Sequence, residues 1–126
     1  MNKYSADKLF KIAFNHLQKK NFGKSTGLFE KLINDYPENL SVLRNLTYCY
    51  MHLGEFEKAE TSVKKLISIK PDEPFVYQTL VSILKDQDKL EEAALIINQG
   101  LKNKLINEKW EIQKNFFFPK IPFDRN

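Results

Sequence analysis

Two residues with reactive side chains lie one helical turn apart near the middle of the chain. Cys49 and His52 could form a nucleophile–base pair or supply two ligands to a metal ion. The sequence has no second cysteine, and its other histidine, His16, lies far away along the chain. A free cysteine more often fills a small space in a protein interior than it performs chemistry. We therefore expect Cys49 to be a packing residue.

A second stretch resembles the end of a phosphate-binding loop. It reads Gly23-Lys24-Ser25-Thr26. Such a loop needs another glycine five residues before Gly23 and a strand in front of it. Gln18 occupies that glycine position, within a segment of helical periodicity. We therefore expect no nucleotide site here.

The remaining polar motifs have structural explanations. Asn45-Leu46-Thr47 matches a glycosylation sequon, but it falls inside a predicted helix of a chain that shows no secretion signal. Asp86, Asp88, Glu91 and Glu92 surround a turn and a helix start, where acidic groups favour the helix dipole. The sequence thus predicts no catalytic residue, no cofactor and no metal site, and we expect the protein not to be an enzyme.

The composition of the 126 residues fits one globular domain with a short tail. Apolar residues make up 42% and charged residues 29%. A single cysteine excludes a disulfide framework and a zinc site built from cysteines. The longest apolar run, Ala93–Ile97, is too short to span a bilayer, and the first residues lack an apolar signal core. We expect a cytoplasmic protein that does not engage a membrane.

The net charge of +4 is concentrated at the two ends of the chain. Residues 1–20 carry +4 and residues 102–126 carry +3, whereas residues 21–101 carry −3. Basic ends can attract nucleic acid through a field that does not depend on base sequence. Solvated lysine-rich faces are the commoner explanation, so we expect no nucleic-acid partner.

A shift of 34 residues aligns the chain with itself, which indicates an internal repeat. Each copy contains two segments with apolar residues at helical spacing, separated by a short polar turn. Small side chains recur at Ser25, Ala59 and Ala93, and Pro37 and Pro71 stop the helices before them. The pattern predicts six helices, over residues 6–20, 24–35, 40–53, 57–69, 74–86 and 90–103.

The starts of two predicted helices carry recognisable signals. Ser5 is positioned to cap the first helix, and Asp72 together with Pro74 is positioned to open the fifth. The same register puts Leu105 where a third proline would stand, so the last copy ends differently from the first two.

The second copy resembles the tetratricopeptide repeat (TPR) family. It reads Leu43-x2-Leu46-Thr47-x2-Tyr50, then Gly54, then Phe56-x2-Ala59-x3-Val63-x2-Leu66, then Pro71. It departs from the family pattern in having leucine at the usual tryptophan and threonine at the usual glycine. The resemblance implies an all-α fold, a TPR-like right-handed α-solenoid of three helix–turn–helix repeats. The repeats occupy residues 6–39, 40–73 and 74–105 of a domain over 1–105, and a capping segment follows over 106–126.

The resemblance also places a ligand-binding face on the first helix of each repeat. That face is mostly apolar with a few polar anchors, which suits an extended peptide or a helix bearing apolar side chains. For Phe10 and Phe14 the alternative is a place in the helical core. We expect a non-catalytic module for protein–protein interaction. Its predicted peptide-binding groove consists of Phe10, Phe14, Arg44, Asn45, Tyr48, Met51, Phe75 and Gln78.

Relatives that grip the C-termini of Hsp70 and Hsp90 chaperones use a clamp of Lys, Arg and Asn. Here only Asn45 falls on a clamp position, because Phe10, Phe14, Phe75 and Thr79 replace the other members. A carboxylate needs charged partners, so we do not expect a C-terminal carboxylate of this type as the ligand. The apolar lining is more similar to the secretion-chaperone branch of the family, which holds extended segments of its cargo.

The end of the chain leaves the repeat pattern. Residues 107–115 are predicted to form a short helix, and Phe116–Phe123, with four Phe and two Pro, is predicted to be extended and apolar. Three fates remain open: the tail caps the last helices, it lies in the groove as a ligand of its own chain, or it leads into a further domain. In the third case the chain is similar to the front of bacterial proteins in which such repeats precede a glycosyl- or sulfotransferase domain.

Overall fold

The fold consists of three helical hairpins in a row. In the structure, a computed structural model that describes residues 5–103, the helices agree with their predicted bounds to within two residues at each end. The predicted helix over 107–115 and the extended Phe116–Phe123 segment lie outside the described residues. The six helices are α1 (Ala6–Gln18), α2 (Phe22–Asp35), α3 (Leu40–His52), α4 (Phe56–Ile69), α5 (Pro74–Asp86) and α6 (Leu90–Lys102).

Helices that are neighbours in sequence are neighbours in space. Each of α1 to α5 packs on the helix that follows it, and α1 also touches α3. One hairpin cannot bury both of its apolar sides, so stacking completes a core that runs through all three. The largest fully buried side chains of this core are Phe29, Leu32, Leu66, Leu80, Ile83 and Leu84.

The predicted column of small residues lies inside this core. Ser25 and Ala59 have no exposed surface and Ala93 almost none. Each belongs to the second helix of a hairpin, and a small side chain there lets the two helices of the hairpin approach closely.

All three hairpins use the same turn. The residues Lys20, Gly54 and Asp88, spaced by 34, adopt positive φ angles of 63°, 72° and 60°. In each hairpin, this left-handed residue follows the end of the first helix and forms a Schellman motif. In that motif, the backbone amide of the residue after it donates to the carbonyl oxygen five residues earlier. The three returning bonds are each 2.8 Å long and join Asn21 to His16, Glu55 to Tyr50, and Lys89 to Leu84.

The helix starts agree with the sequence expectation in one case and correct it in another. The Ser5 hydroxyl accepts a hydrogen bond from the Lys8 amide at 3.3 Å, as predicted. The fifth helix does begin with Pro74, but its N-cap residue is Glu73 and not Asp72, and no side chain caps it. The carboxylate of Glu73 instead pairs with Arg44.

Polar bonds connect successive hairpins. The Tyr50 hydroxyl donates to Glu30 at 2.7 Å, which ties α3 to α2. The carboxylate of Glu60 on α4 accepts hydrogen bonds from Gln87 at 2.8 Å and Lys89 at 3.1 Å, at the turn between α5 and α6. Each joint therefore combines apolar packing with a bonded carboxylate.

We expect the turn residues to respond oppositely to glycine and alanine. Gly54→Ala should destabilise the protein by about 1 kcal/mol, because a Cβ there meets no atom within 4 Å but the positive φ remains strained. Lys20→Gly should relieve the same strain and stabilise by about 0.5 kcal/mol. Urea unfolding followed by circular dichroism measures both changes.

The control is Gly27→Ala, in the exposed interior of α2, where a Cβ also meets nothing. Alanine should stabilise this helical position by about 0.5–1 kcal/mol. Equal effects of alanine at positions 54 and 27 would contradict the turn assignment.

The Glu60 network predicts a pH-dependent contribution to stability. Burial raises the pKa of Glu60, but hydrogen bonds from Lys64, Gln87 and Lys89 outweigh burial and lower the pKa to about 2 from the ordinary 4.5. A lowered pKa in the folded state stabilises above pH 4.5, and this stabilisation is lost as the pH falls towards 2. Glu60→Gln should therefore cost about 1 kcal/mol at neutral pH and nothing near pH 2.

Thermal unfolding of both proteins across this pH range measures the difference. Glu38→Gln is a suitable control, since the exposed Glu38 only approaches Lys65, at 3.8 Å. A Glu60→Gln penalty that stays constant with pH would show that the charge of Glu60 does not act as described.

Candidate peptide-binding groove

The predicted groove residues lie on α1, α3 and α5, the first helices of the three hairpins. The structure divides them into two groups. Phe10 and Asn45 are buried, with exposed fractions of 6% and 5%. The other six are partly exposed and form what we call the groove: Phe14, Arg44, Tyr48, Met51, Phe75 and Gln78.

Phe10 lies in the helical core, which was the alternative to a place in the groove for this residue. Its ring packs edge-on against Phe29 of α2, with 5.5 Å between ring centroids. Its other neighbour is Phe14, whose ring is stacked at 6.2 Å. Phe14 therefore packs on the buried ring of Phe10 and remains partly exposed.

The polar side chains at two clamp positions bond to their own helices. The Asn45 amide donates to the carbonyl oxygen of Ser41 at 2.7 Å, and the Thr79 hydroxyl donates to that of Phe75 at 2.9 Å. Both residues are buried. The single donor of Thr79 is thus used within its own helix, whereas the buried Oδ1 of Asn45 has no hydrogen-bond partner among residues 5–103.

An ion pair neutralises the one arginine of the groove. Arg44 on α3 donates to the carboxylate of Glu73, the residue just before α5. Lys70 approaches the other carboxylate oxygen of Glu73 at 3.3 Å. Both Arg44 and Glu73 are partly buried, so the pair ties the second hairpin to the third. Arg44 was among the predicted groove residues, whereas its partner Glu73 was not.

Three rings form a cluster that the sequence analysis missed. His52 stacks on Phe22 with 4.5 Å between centroids, and Tyr48 lies 4.4 Å from His52 and 6.1 Å from Phe22. Burial, together with the charge of Lys20, lowers the pKa of His52 and favours its neutral form. This cluster holds the Tyr48 ring in place on α3. The recurrence of a large apolar residue at 22, 56 and 90 was the available signal.

The two motifs that could suggest chemistry are both structural. Cys49 is fully buried, and its Sγ lies 3.4 Å from the Ser25 hydroxyl, while burial raises the pKa of the thiol. His52 faces the aromatic rings instead of the thiol. The phosphate-loop-like stretch is the first turn of α2, with Ser25 and Thr26 facing the core. The expectation that Cys49 is a packing residue is confirmed.

Across residues 5–103, no three His, Cys, Asp or Glu side chains are grouped so that they could hold a metal ion. Over the same residues, no helix combines the length and the apolar composition needed to cross a bilayer.

Three stacked helical hairpins with a common turn define a helical-repeat protein. The family profile of the tetratricopeptide repeat matches residues 16–84, which is more than half of the chain. The chain therefore belongs to the tetratricopeptide repeat family. Among curated proteins, none matches the sequence.

Solved structures with the same fold include MamA AMB-1, with a TM-score of 0.72 at 21% identity. That alignment covers 80% of this chain, which spans only 59% of the MamA chain. The first TPR of Spaghetti (RPAP3), bound to the HSP90 peptide SRMEEVD, has a TM-score of 0.69 at 18% identity, with 86% of each chain covered. The Arabidopsis OM64 TPR domain has a TM-score of 0.69 at 16% identity, covering 82% of this chain and 85% of that domain. At these identities the likeness shows the fold.

The buried Cys49 predicts a thiol that is inert in the folded protein. Thiol–disulfide exchange requires the thiolate form of the cysteine and access of the reagent to its sulfur. Burial disfavours the thiolate and blocks the reagent. We expect Ellman's reagent to react with the native chain ~100-fold or more slowly than with the chain in denaturant, since reaction requires local opening. Absorbance at neutral pH follows the reaction. A native rate equal to the denatured rate would overturn the buried assignment.

Proposed function

We propose that this chain is a non-catalytic module that binds a segment of another protein along the groove. The observation that carries the proposal is a run of partly exposed apolar side chains on three successive first helices. Phe14, Tyr48, Met51 and Phe75 pack against the core on one side and keep surface on the other. An extended peptide or an amphipathic helix with apolar side chains fits such a surface.

The charges at the groove support a neutral apolar ligand over an anionic one. Arg44 is already paired with Glu73. At the clamp positions, every residue except Asn45 is aromatic or carries a hydroxyl group. An anionic terminus would have to compete with Glu73 for the arginine, and a desolvated carboxylate without a charged partner is costly. We therefore do not extend to this chain the acidic HSP90 peptide that RPAP3 binds.

The energy of such binding comes from a few side chains. Fully burying one large apolar side chain contributes roughly 1.5–3 kcal/mol, and partly exposed ones contribute a fraction of that. Aromatic residues near the centre of an interface usually dominate. Tyr48 is central in the groove, between α1 and α5, and the ring cluster with Phe22 and His52 holds it in place.

The test is affinity capture from the source cell with the purified chain as bait. Proteins recovered by the wild type should be depleted at least tenfold with Phe14→Ala or Tyr48→Ala, since ~1.4 kcal/mol corresponds to tenfold. Leu95→Ala, at an exposed leucine on α6, is the matched control and should recover them unchanged. Quantitative mass spectrometry compares the baits, and circular dichroism checks that each is folded.

Recovery that is the same with all variants would mean that the groove is not the binding surface. Calorimetry with the peptide SRMEEVD tests directly whether the chain binds an anionic ligand instead of an apolar one. Binding of that peptide, lost on removing its terminal carboxylate charge, would overturn the proposed apolar ligand.

A further inference from the structure

The turns within the three hairpins lie along one edge of the molecule. Short connections make successive helices run in opposite directions, so the turns after α1, α3 and α5 come to the same end. Phe22, just after the first turn, stacks on His52 at the end of α3, and Lys89 in the third turn is bonded to Glu60 on α4. We call this edge the turn edge. It consists of residues 17–24, 51–58 and 85–92.

The turn edge changes charge from one end to the other. Residues 17–24 carry three lysines and no acidic residue, whereas residues 85–92 carry four acidic residues and two lysines. One of these two, Lys89, is already paired with a carboxylate of α4. In the middle turn, Lys58 lies 3.6 Å from Glu55 and offsets its charge. The edge is therefore basic at the first hairpin and acidic at the third.

The left-handed turn residues carry the same two charges. Lys20 and Asp88 adopt positive φ angles, which glycine adopts at lower cost and which Gly54 adopts in the second turn. Both side chains are exposed, and neither forms a salt bridge with another of residues 5–103. Strained residues persist where function requires them, so these two charges point to a partner outside the chain.

An exposed leucine lies at the middle of the edge. Leu53 is 42% exposed, and the equivalent positions in the other two turns are Lys19 and Gln87. Gly54 follows it, with no atom within 4 Å of the place where a Cβ would stand. Another backbone can therefore approach closely at this point.

We propose that two copies of this chain associate through the turn edge about a two-fold axis. An axis through the second turn places Lys20 of each copy against Asp88 of the other and brings the two Leu53 side chains together. A single edge supplies both halves of this contact, so a second copy fits it better than a partner of one charge. The inference goes beyond the proposed function, because the edge lies at the helix ends and leaves the groove to another ligand.

The charges would set the orientation of the two copies more than their affinity. Salt screens exposed charges, so the association should weaken as the salt concentration rises. The apolar contact between the two Leu53 side chains is not screened in this way. Leu53→Ser should therefore weaken the dimer as well, whereas Leu95→Ser, at an exposed leucine on α6 away from the edge, should not.

Sedimentation velocity of the full chain at low salt tests the proposal. The mass should rise with concentration from one chain to two and no further, and high salt should return it to one. Lys20→Asp and Asp88→Lys should each raise the dimer dissociation constant at least tenfold, because each brings like charges together at both ends of the contact. Both new side chains already occur at this turn position in another hairpin, so we expect the fold to accept them.

A mixture of these two variants separates charge pairing from simple damage. One variant has acidic side chains at both ends of the edge and the other has basic ones, so together they should form a mixed dimer. The chain carrying both substitutions should dimerise as the wild type does. Lys31→Asp is the matched control, because it makes the same change of charge at an exposed position within α2 and should leave the dissociation constant unchanged.

Circular dichroism checks the fold of each variant. If Lys20→Asp does not fold, Lys19→Asp replaces it, and Asp86→Lys likewise replaces Asp88→Lys. A wild type that stays one chain at every concentration would overturn the proposal. So would masses above two chains, which indicate open head-to-tail assembly, or a dimer that neither charge reversal weakens, which indicates another surface.

Discussion

The structure depends on one interaction, the burial of one face of the first and of the second hairpin by the hairpin that follows it in the chain. A helix pair alone leaves one side of its second helix open to water, and that open side drives the next pair to stack. Ser25, Ala59 and Ala93 bring the two helices of each pair close together. Stacking also sets α1, α3 and α5 side by side, and so it creates the groove as a consequence of packing.

Over residues 5–103, the sequence predicted nearly all of the backbone arrangement, because helix period, turn spacing and the small-residue column are local or repeated signals. The prediction from sequence was wrong where the role of one side chain depends on a contact between hairpins. Asp72 was expected to open α5, but Glu73 stands at that position and is held by Arg44 across the joint. No local pattern encodes such a contact, because it depends on how one hairpin is placed against the next.

The groove residues also show this difference between repeated signals, which can be predicted, and individual side-chain contacts, which cannot. Position in the repeat places all eight predicted residues on the first helices α1, α3 and α5. Burial within this set was not predictable: Phe10 meets Phe29 on α2, and Asn45 turns to the Ser41 carbonyl. The Asn45 amide nitrogen therefore has a partner on its own helix, whereas its buried Oδ1 has none among the described residues. The open surface of the first helices is more apolar than the set of predicted groove residues, because the buried Asn45 does not contribute to it.

The nearly linear order of contacts has a consequence for folding. Almost every contact joins helices adjacent in sequence, so the chain has low contact order, and folding can nucleate in any hairpin and spread to its neighbours. The central helices α3 and α4 are flanked on both sides, whereas α6 buries only Ala93 and Gly100 within the described residues. Among residues 5–103, local opening of α6 therefore exposes fewer buried side chains than local opening of α3 does.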